Sequence, residues 1–86
     1  MSKDLEDAAF LRAMGNVVRE VREEKGWTQM EFAKEIGMKD RTHIARIELG
    51  EVNFRLSMFH RIADACGVPA EELFWRANER TILPVE

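Results

Sequence analysis

With 86 residues, 45% of them hydrophobic, and 13 Lys and Arg against 16 Asp and Glu, the chain has the composition of an acidic globular protein. Its length limits it to one domain with one modest core, and its apolar content excludes a wholly disordered chain. Cys66 has no second cysteine to pair with, and the N-terminal segment has no signal-peptide core, so we expect a cytoplasmic protein without a membrane partner.

The first predicted helix covers residues 5–25, where apolar residues including Val17 and Val21 recur at helical spacing on both sides of Gly15. Gly26 follows at the position where a left-handed glycine commonly ends a helix. The segment therefore predicts an amphipathic helix with one apolar face.

The second predicted helix begins after Thr28, because Thr28 and Glu31 have the spacing of a capping box. It extends through Ile36, and Gly37 ends it with a backbone conformation that glycine adopts readily. The residues expected to face inward are Phe32, Ala33 and Ile36.

The third predicted helix covers residues 40–49, with Asp40 as its N-cap and with Ile44 and Ile47 facing inward. Only a few residues separate it from the second helix. The two helices are therefore expected to cross steeply, as in a helix-turn-helix over residues 28–49.

Two further helices complete the predicted fold. The fourth covers residues 55–66, and a short fifth covers residues 70–76, with Pro69 suited to its first turn. The expected apolar side of the fourth helix comprises Leu56, Phe59, Ile62 and Ala63. No alternating pattern predicts a strand, so we expect an all-α domain over residues 1–86, with five helices around a core at about residues 10–76.

Basic residues are concentrated in the middle of the chain. Residues 34–61 carry six Lys and Arg against four Asp and Glu, whereas the segments on both sides are net negative. A positive segment in an acidic protein indicates a surface for a negatively charged partner, with a solvated helix face as the alternative.

The segment VREVREEKGWTQMEFAKEIGMKDRTHIARIELGEVNF, followed by IADACGVPAEELF, resembles the lambda-repressor-like (Cro/XRE) helix-turn-helix family. The resemblance covers about residues 14–75, and DRTHIARIELGE followed by Asn53 is most similar to the controller proteins of restriction–modification systems. It implies a five-helix lambda-repressor-like domain. It also implies a sequence-specific transcriptional regulator that acts as a homodimer on an inverted-repeat operator in double-stranded DNA.

The resemblance implies that the third helix enters the major groove and that the second helix binds the DNA backbone with its N-terminal end. Arg41 and Thr42 match the DRT motif of controller proteins and are expected to contact bases, since arginine binds guanine bidentately and a threonine methyl contacts thymine. The predicted DNA-contacting residues are Thr28, Gln29, Lys39, Arg41, Thr42, His43, Arg46, Asn53 and Arg55. For each of them, a solvated surface side chain is the alternative interpretation.

Three positions depart from the family pattern. Ten residues separate Ala33 from Ile44, one more than is usual in the family, which leaves the register of the third helix open by one position. Val52 stands where controller proteins usually carry an arginine, and Phe54 replaces a usual proline.

The resemblance also assigns an ion pair and a dimer interface. Arg22 and Glu48 match a pair that bridges the first and third helices, with two solvated charges as the alternative. In the family the homodimer forms mainly through the C-terminal end, where this chain has many apolar residues. The predicted interface comprises Leu73, Phe74, Trp75, Ile82, Leu83 and Val85, with Leu73 also a candidate for the core and closure of the monomer core as the alternative for all six.

No catalytic or metal-binding arrangement is predicted. Cys66, His43 and His60 are the only cysteine and histidine residues, and His60 lies six residues before Cys66 without a third ligand. Cys66 is therefore expected to pack as a small apolar residue, and no cofactor or small-molecule ligand is expected. The alternative to a regulator is an antitoxin or another protein-interaction module, because one fold serves several functions.

Overall fold

The computed structural model describes residues 3–82 of the protein and the side chains of residues 7–81. These residues form five α-helices and no strand. The helices are α1 (Lys3–Glu24), α2 (Gln29–Glu35), α3 (Thr42–Glu48), α4 (Leu56–Cys66) and α5 (Ala70–Ile82). The predicted all-α fold with five helices is therefore confirmed. Among these helices, none is long and apolar enough to cross a membrane.

The core lies along α1, which packs against both α3 and α5. Burial of a large apolar side chain stabilises the fold by about 1.5–3 kcal/mol relative to its exposure. The largest fully buried side chains are Val17, Val18, Val21, Phe32, Ile44, Ile47, Ile62 and Leu73. Every helix contributes at least one of them, so this cluster fixes the helices relative to one another. The predicted inward residues of α2 and α3 are all buried.

Two glycines allow the C-terminal end of α3 to approach α1 closely. A methyl group at Gly15, within α1, would lie 2.4 Å from the Ile47 carbonyl oxygen and 2.6 Å from that of Glu48. Gly50 follows α3 with a φ of 76°, and a methyl group there would lie 2.8 Å from the Cα of Arg12. The backbone of α1 therefore sets the position of α3.

The start of α3 differs from the prediction. The helix covers Thr42–Glu48 rather than residues 40–49, and Arg41 instead of Asp40 occupies the N-cap position. The Asp40 carboxylate accepts a hydrogen bond of 2.9 Å from the Thr42 amide. An aspartate side chain commonly accepts a bond from the amide two residues further on in a turn. In the sequence such an aspartate is indistinguishable from an N-cap residue, so the helix start was predicted one position too early.

The fifth helix is longer than predicted, since it ends at Ile82 and not at Arg76. Ala77 is fully buried against the core, and Arg80 lies 2.8 Å from Glu20 of α1. These contacts with other helices keep the C-terminal turns helical, and local sequence alone does not reveal them.

Leu56 was predicted on the apolar side of α4, but it is 81% exposed. Along that side, burial increases from Leu56 through the half-buried Phe59 to the fully buried Ile62. The first turn of α4 therefore extends beyond the core, which explains why an apolar residue at helical spacing remains in solvent.

Candidate nucleic-acid interface

α2 begins with the predicted capping box. The Thr28 hydroxyl accepts a hydrogen bond of 3.1 Å from the Glu31 amide, and the Thr28 amide donates to a Glu31 carboxylate oxygen at 2.8 Å. The two bonds satisfy amide groups that a helix start otherwise leaves without partners. The start of α2 is thus fixed at the protein surface.

Arg22 of α1 and Glu48 of α3 form a buried, bidentate ion pair. Arg22 Nε donates to Glu48 Oε2 at 2.6 Å, and Nη2 donates to Oε1 at 3.0 Å. The third nitrogen, Nη1, donates to the Trp27 carbonyl oxygen at 2.8 Å. The hydrogen bond to Glu48 raises the pKa of Arg22 above its already high ordinary value. The pair joins α1, the end of α3 and the loop that leads into α2.

Gln29 and Arg41 extend this ion pair to the surface. The Gln29 side-chain nitrogen donates to Glu48 Oε1 at 3.0 Å, and its amide oxygen accepts from Arg41 Nη1 at 2.9 Å. A hydrogen-bonded chain therefore runs from the buried Arg22 to the exposed Arg41. The sequence had suggested a DNA backbone contact for the Gln29 amide, and the structure places that amide between Glu48 and Arg41.

The outward face of α3 and of the residues just before it carries most of the predicted groove-facing side chains. Lys39, Arg41 and Thr42 are exposed, and Arg46 is exposed one turn further along. Arg46 Nε lies 3.8 Å from Glu51 Oε1, and both side chains are 55% exposed, so this pair contributes little to stability. Because both isoleucines of α3 are fully buried, this face points away from the core.

His43 lies toward α4, whereas Arg41 lies toward α2. With Asn53 and Arg55, the half-buried His43 lines a cleft of about 360 Å³ between α3, the following loop and α4. Ser57 and Arg61 line the same cleft, and neither was predicted as a site residue. Helical periodicity in the sequence identifies only the apolar side of the fourth helix. The signal for Arg61 is its position within the net-positive segment 34–61.

An apolar face is exposed where α5 meets α4. Phe74 and Trp75 are 53% and 62% exposed. The Phe74 ring lies 5.2 Å from that of Phe10 and 6.5 Å from that of Phe59, measured between ring centroids. Aromatic rings at these distances attract one another, so Phe74 is held in place while half of its surface faces solvent.

The other predicted interface residues fall into two groups. Leu73 is fully buried within the monomer, so it belongs to the core and is removed from the predicted interface. The predicted interface residues outside the side chains that the structure describes are Ile82, Leu83 and Val85.

Cys66 has the surroundings of a packing residue. It is buried, whereas His60 on the same helix is exposed. Burial raises the pKa of the Cys66 thiol to about 11, so the thiol is protonated at neutral pH, and its thiolate, the form that acts as nucleophile or ligand, is scarce. Among residues 7–81, no group of three or more potential ligands converges on a metal position.

The amino-acid sequence is similar to a family of helix-turn-helix proteins and to individual proteins of known name. A family model described as helix-turn-helix matches residues 18–73, which include all of α2, α3 and α4. A hypothetical transcription factor from Neisseria meningitidis serogroup B is 37% identical over 78 residues, which are 90% of this chain and 73% of the relative. Antitoxin HipB of Escherichia coli K12 is 41% identical over 49 residues, 57% of this chain and 54% of HipB.

A solved structure gives the same picture at the level of the fold. The restriction–modification controller protein C.AhdI from Aeromonas hydrophila superposes with a TM-score of 0.72 at 32% identity. The superposition covers 77% of this chain and 94% of C.AhdI.

Proposed function

Because this chain belongs to the helix-turn-helix family of Cro/XRE-type DNA-binding transcription regulators, we propose that it acts as a homodimer on an inverted-repeat operator. The observation that carries the proposal is the outward face of α3. Arg41 and Thr42 are exposed there, while the opposite face of the helix is anchored in the core. Likeness to C.AhdI favours the role of a restriction–modification controller.

Arg41 and Thr42 are the proposed base-reading residues. The Arg41 guanidinium presents planar donors that match the O6 and N7 acceptors of guanine, and the Thr42 methyl suits the methyl group of thymine. Lys39 and Arg46 lie beside them and supply positive groups along the groove, and His43, which lies toward α4, supplies a contact at the edge of this face. Arg41 and Thr42 determine which operator sequence is bound.

Backbone contacts flank the base-reading residues on both sides. Thr28 and Gln29 lie at the start of α2, and Asn53 and Arg55 lie in the loop after α3. Because the side-chain amide of Gln29 is bonded to Glu48 and Arg41, the group that Gln29 offers to phosphate is its backbone amide. Contacts of this kind fix the position of α3 on the duplex and carry no sequence information directly. A loss of any one of them is expected to weaken binding to all sequences alike.

The exposed apolar face is the proposed dimer interface. Single DNA-binding modules bury roughly 600–1,000 Å² of protein surface on DNA, and two-fold dimers read paired half-sites to increase affinity and specificity. Phe74 and Trp75, together with Leu56, expose large apolar side chains. Association through them would carry two copies of α3 to successive major grooves, about 34 Å apart.

Selection from a random duplex library tests the proposal. The expected result is an enriched inverted repeat whose half-sites are separated by about one helical turn, roughly 10 base pairs. Enrichment of no palindrome would contradict the operator, and enrichment of a single half-site would contradict the dimer.

An antitoxin that binds a protein partner is the second candidate function. It is favoured by the likeness to HipB over 49 residues, which span about half of HipB. The salt dependence of duplex binding distinguishes the two functions. A DNA-binding protein loses affinity with a log–log slope of about −0.9 for each phosphate contacted. A protein-interaction module without a DNA role would show no affinity for duplex DNA.

A further inference from the structure

We propose that the cleft between α3 and α4 binds a backbone phosphate of DNA and that Arg61 is its principal cationic residue. This inference rests on the proposed function and extends it to α4. It adds Arg61 and Ser57 to the DNA-contacting surface, and it gives the half-buried His43 a contact outside the base-reading face.

The chemistry of the cleft wall suits an anion. It combines cationic and hydrogen-bonding groups without a carboxylate, and its remaining wall is formed by Phe54 and Met58. The polar side chains that line it are His43, Asn53, Arg55, Ser57 and Arg61. Guanidinium groups bind phosphate through parallel N–H bonds, and hydroxyl and amide side chains supply further donors.

Arg55 and Arg61 differ from most arginines in the part of the chain that the structure describes. The arginines that lie within 4.0 Å of a glutamate carboxylate are Arg19, Arg22, Arg46, Arg76 and Arg80. Arg55 and Arg61 have no such partner among residues 7–81, although the chain has more carboxylates than basic groups. Their charge is therefore available to an anion from outside.

A hydrogen bond to the end of α2 also holds the guanidinium of Arg61 in position. Its Nη1 donates to the Ile36 carbonyl oxygen, at the C-terminal end of α2, over 3.3 Å. One bond occupies only one of the five donors of a guanidinium, so the others can bind phosphate. A phosphate in this cleft would link α4, the loop after α3 and the turn that precedes α3.

The test is the salt dependence of binding to a labelled random-sequence duplex of about 30 base pairs, measured by fluorescence anisotropy. Loss of one phosphate contact reduces the magnitude of the log–log slope by about 0.9. We expect this reduction for Arg61→Gln, whereas Arg61→Lys keeps the charge and should keep the slope.

Two further variants separate the contact from other effects. Arg55→Gln leaves the bond between Arg61 and Ile36 in place and is expected to reduce the slope as well, even where Arg61→Gln disturbs folding. Arg80→Gln removes the same charge from α5, where Arg80 pairs with Glu20, and should leave the slope unchanged.

The outcomes are distinguishable. If the unaltered protein binds the duplex and a folded Arg61→Gln variant retains its slope, Arg61 does not contact phosphate and the proposal fails, whether or not Arg55→Gln reduces the slope. If Arg61→Gln does not fold, a slope retained by Arg55→Gln overturns the proposal. If the unaltered protein does not bind duplex DNA, the proposed function itself fails. Titration with inorganic phosphate, followed by the amide NMR signals of the cleft residues, distinguishes free phosphate from the DNA backbone as the ligand. If phosphate saturates the cleft and duplex DNA does not displace it, DNA is not the ligand.

Discussion

Glu48 connects the stability of the fold with the proposed DNA surface. Its carboxylate accepts hydrogen bonds from Arg22 and Gln29, and its side chain is only 5% exposed. Glu48→Ala leaves the Arg22 guanidinium buried without its partner, so we expect the free energy of unfolding to fall by about 3–5 kcal/mol. Urea denaturation followed by circular dichroism measures this change.

The control is an exposed ion pair on α1, the helix that carries Arg22. Arg19 and Glu23 lie 3.3 Å apart with side chains 59% and 56% exposed. Arg19→Ala is expected to change the free energy of unfolding by less than about 1 kcal/mol. Similar losses for the two variants would show that burial does not govern the Arg22–Glu48 pair.

Arg41 is the residue at which the hydrogen-bonded chain meets the proposed DNA surface. Against a selected operator, Arg41→Ala is expected to cost about 1–3 kcal/mol of binding free energy and to relax the preference at one base pair. Competition binding with operators altered at single positions measures both effects. An equal loss on every sequence would make Arg41 a phosphate contact.

The hydrogen bonds that link Arg22 to Arg41 through Glu48 and Gln29 differ in how well the sequence predicts them. The partners Arg22 and Glu48 lie 26 residues apart, so only resemblance to a family could pair them. The hydrogen bonds of the Gln29 side chain to Glu48 and Arg41 depend on how α2 and α3 cross and on side-chain conformation. Residue types and spacing do not determine either of these.

At the scale of elements, helical periodicity predicted all five helices, whereas contacts between helices determined their ends. The Thr28 capping box was predictable because both of its bonds are local. The last turns of α5 were not, since they depend on Ala77 in the core and on Glu20 of α1. The exposure of Leu56 likewise depends on where the core ends.

The packing of α1 against α3 gives a prediction at this scale. In an isolated helix, Gly15→Ala would stabilise by roughly 0.5–1 kcal/mol. Here the added methyl group would lie 2.4 Å from the Ile47 carbonyl oxygen, so α3 must move away from α1. We therefore expect a lower melting temperature and weaker operator binding, measured by thermal unfolding and anisotropy.

Asn16→Ala is the appropriate comparison, because Asn16 is the exposed neighbour of Gly15 on the same helix. It adds helix propensity without a clash, so the melting temperature should be unchanged or slightly higher. A stabilised Gly15→Ala variant with normal operator binding would mean that α1 does not set the position of α3.

For the whole molecule, the arrangement separates three surfaces around α1. The face of α3 is basic and polar, the Phe74–Trp75 face is apolar, and the side of α1 next to α5 carries an ion-pair network of Glu20, Arg76 and Arg80. Since α1 packs against both α3 and α5, the proposed dimer interface and the proposed recognition helix are both positioned by the same helix. The orientation of two copies of α3 would then follow directly from how two copies of α5 associate.

The dimer supplies the prediction at the scale of the whole molecule. Trp75 is 62% exposed, so Trp75→Ala should alter the fold little, whereas buried tryptophans at interfaces commonly contribute about 2 kcal/mol or more to association. Sedimentation velocity at micromolar concentration is expected to show a dimer of the 10.0 kDa chain for the unaltered protein and a shift toward monomer for the variant. Operator affinity should fall in parallel.

The control is Met30→Ala, which alters an exposed apolar residue on α2, away from the Phe74–Trp75 face, and should leave the oligomeric state unchanged. A monomer in the unaltered protein at these concentrations would contradict the dimer, and with it the reading of an inverted repeat by two linked copies of α3.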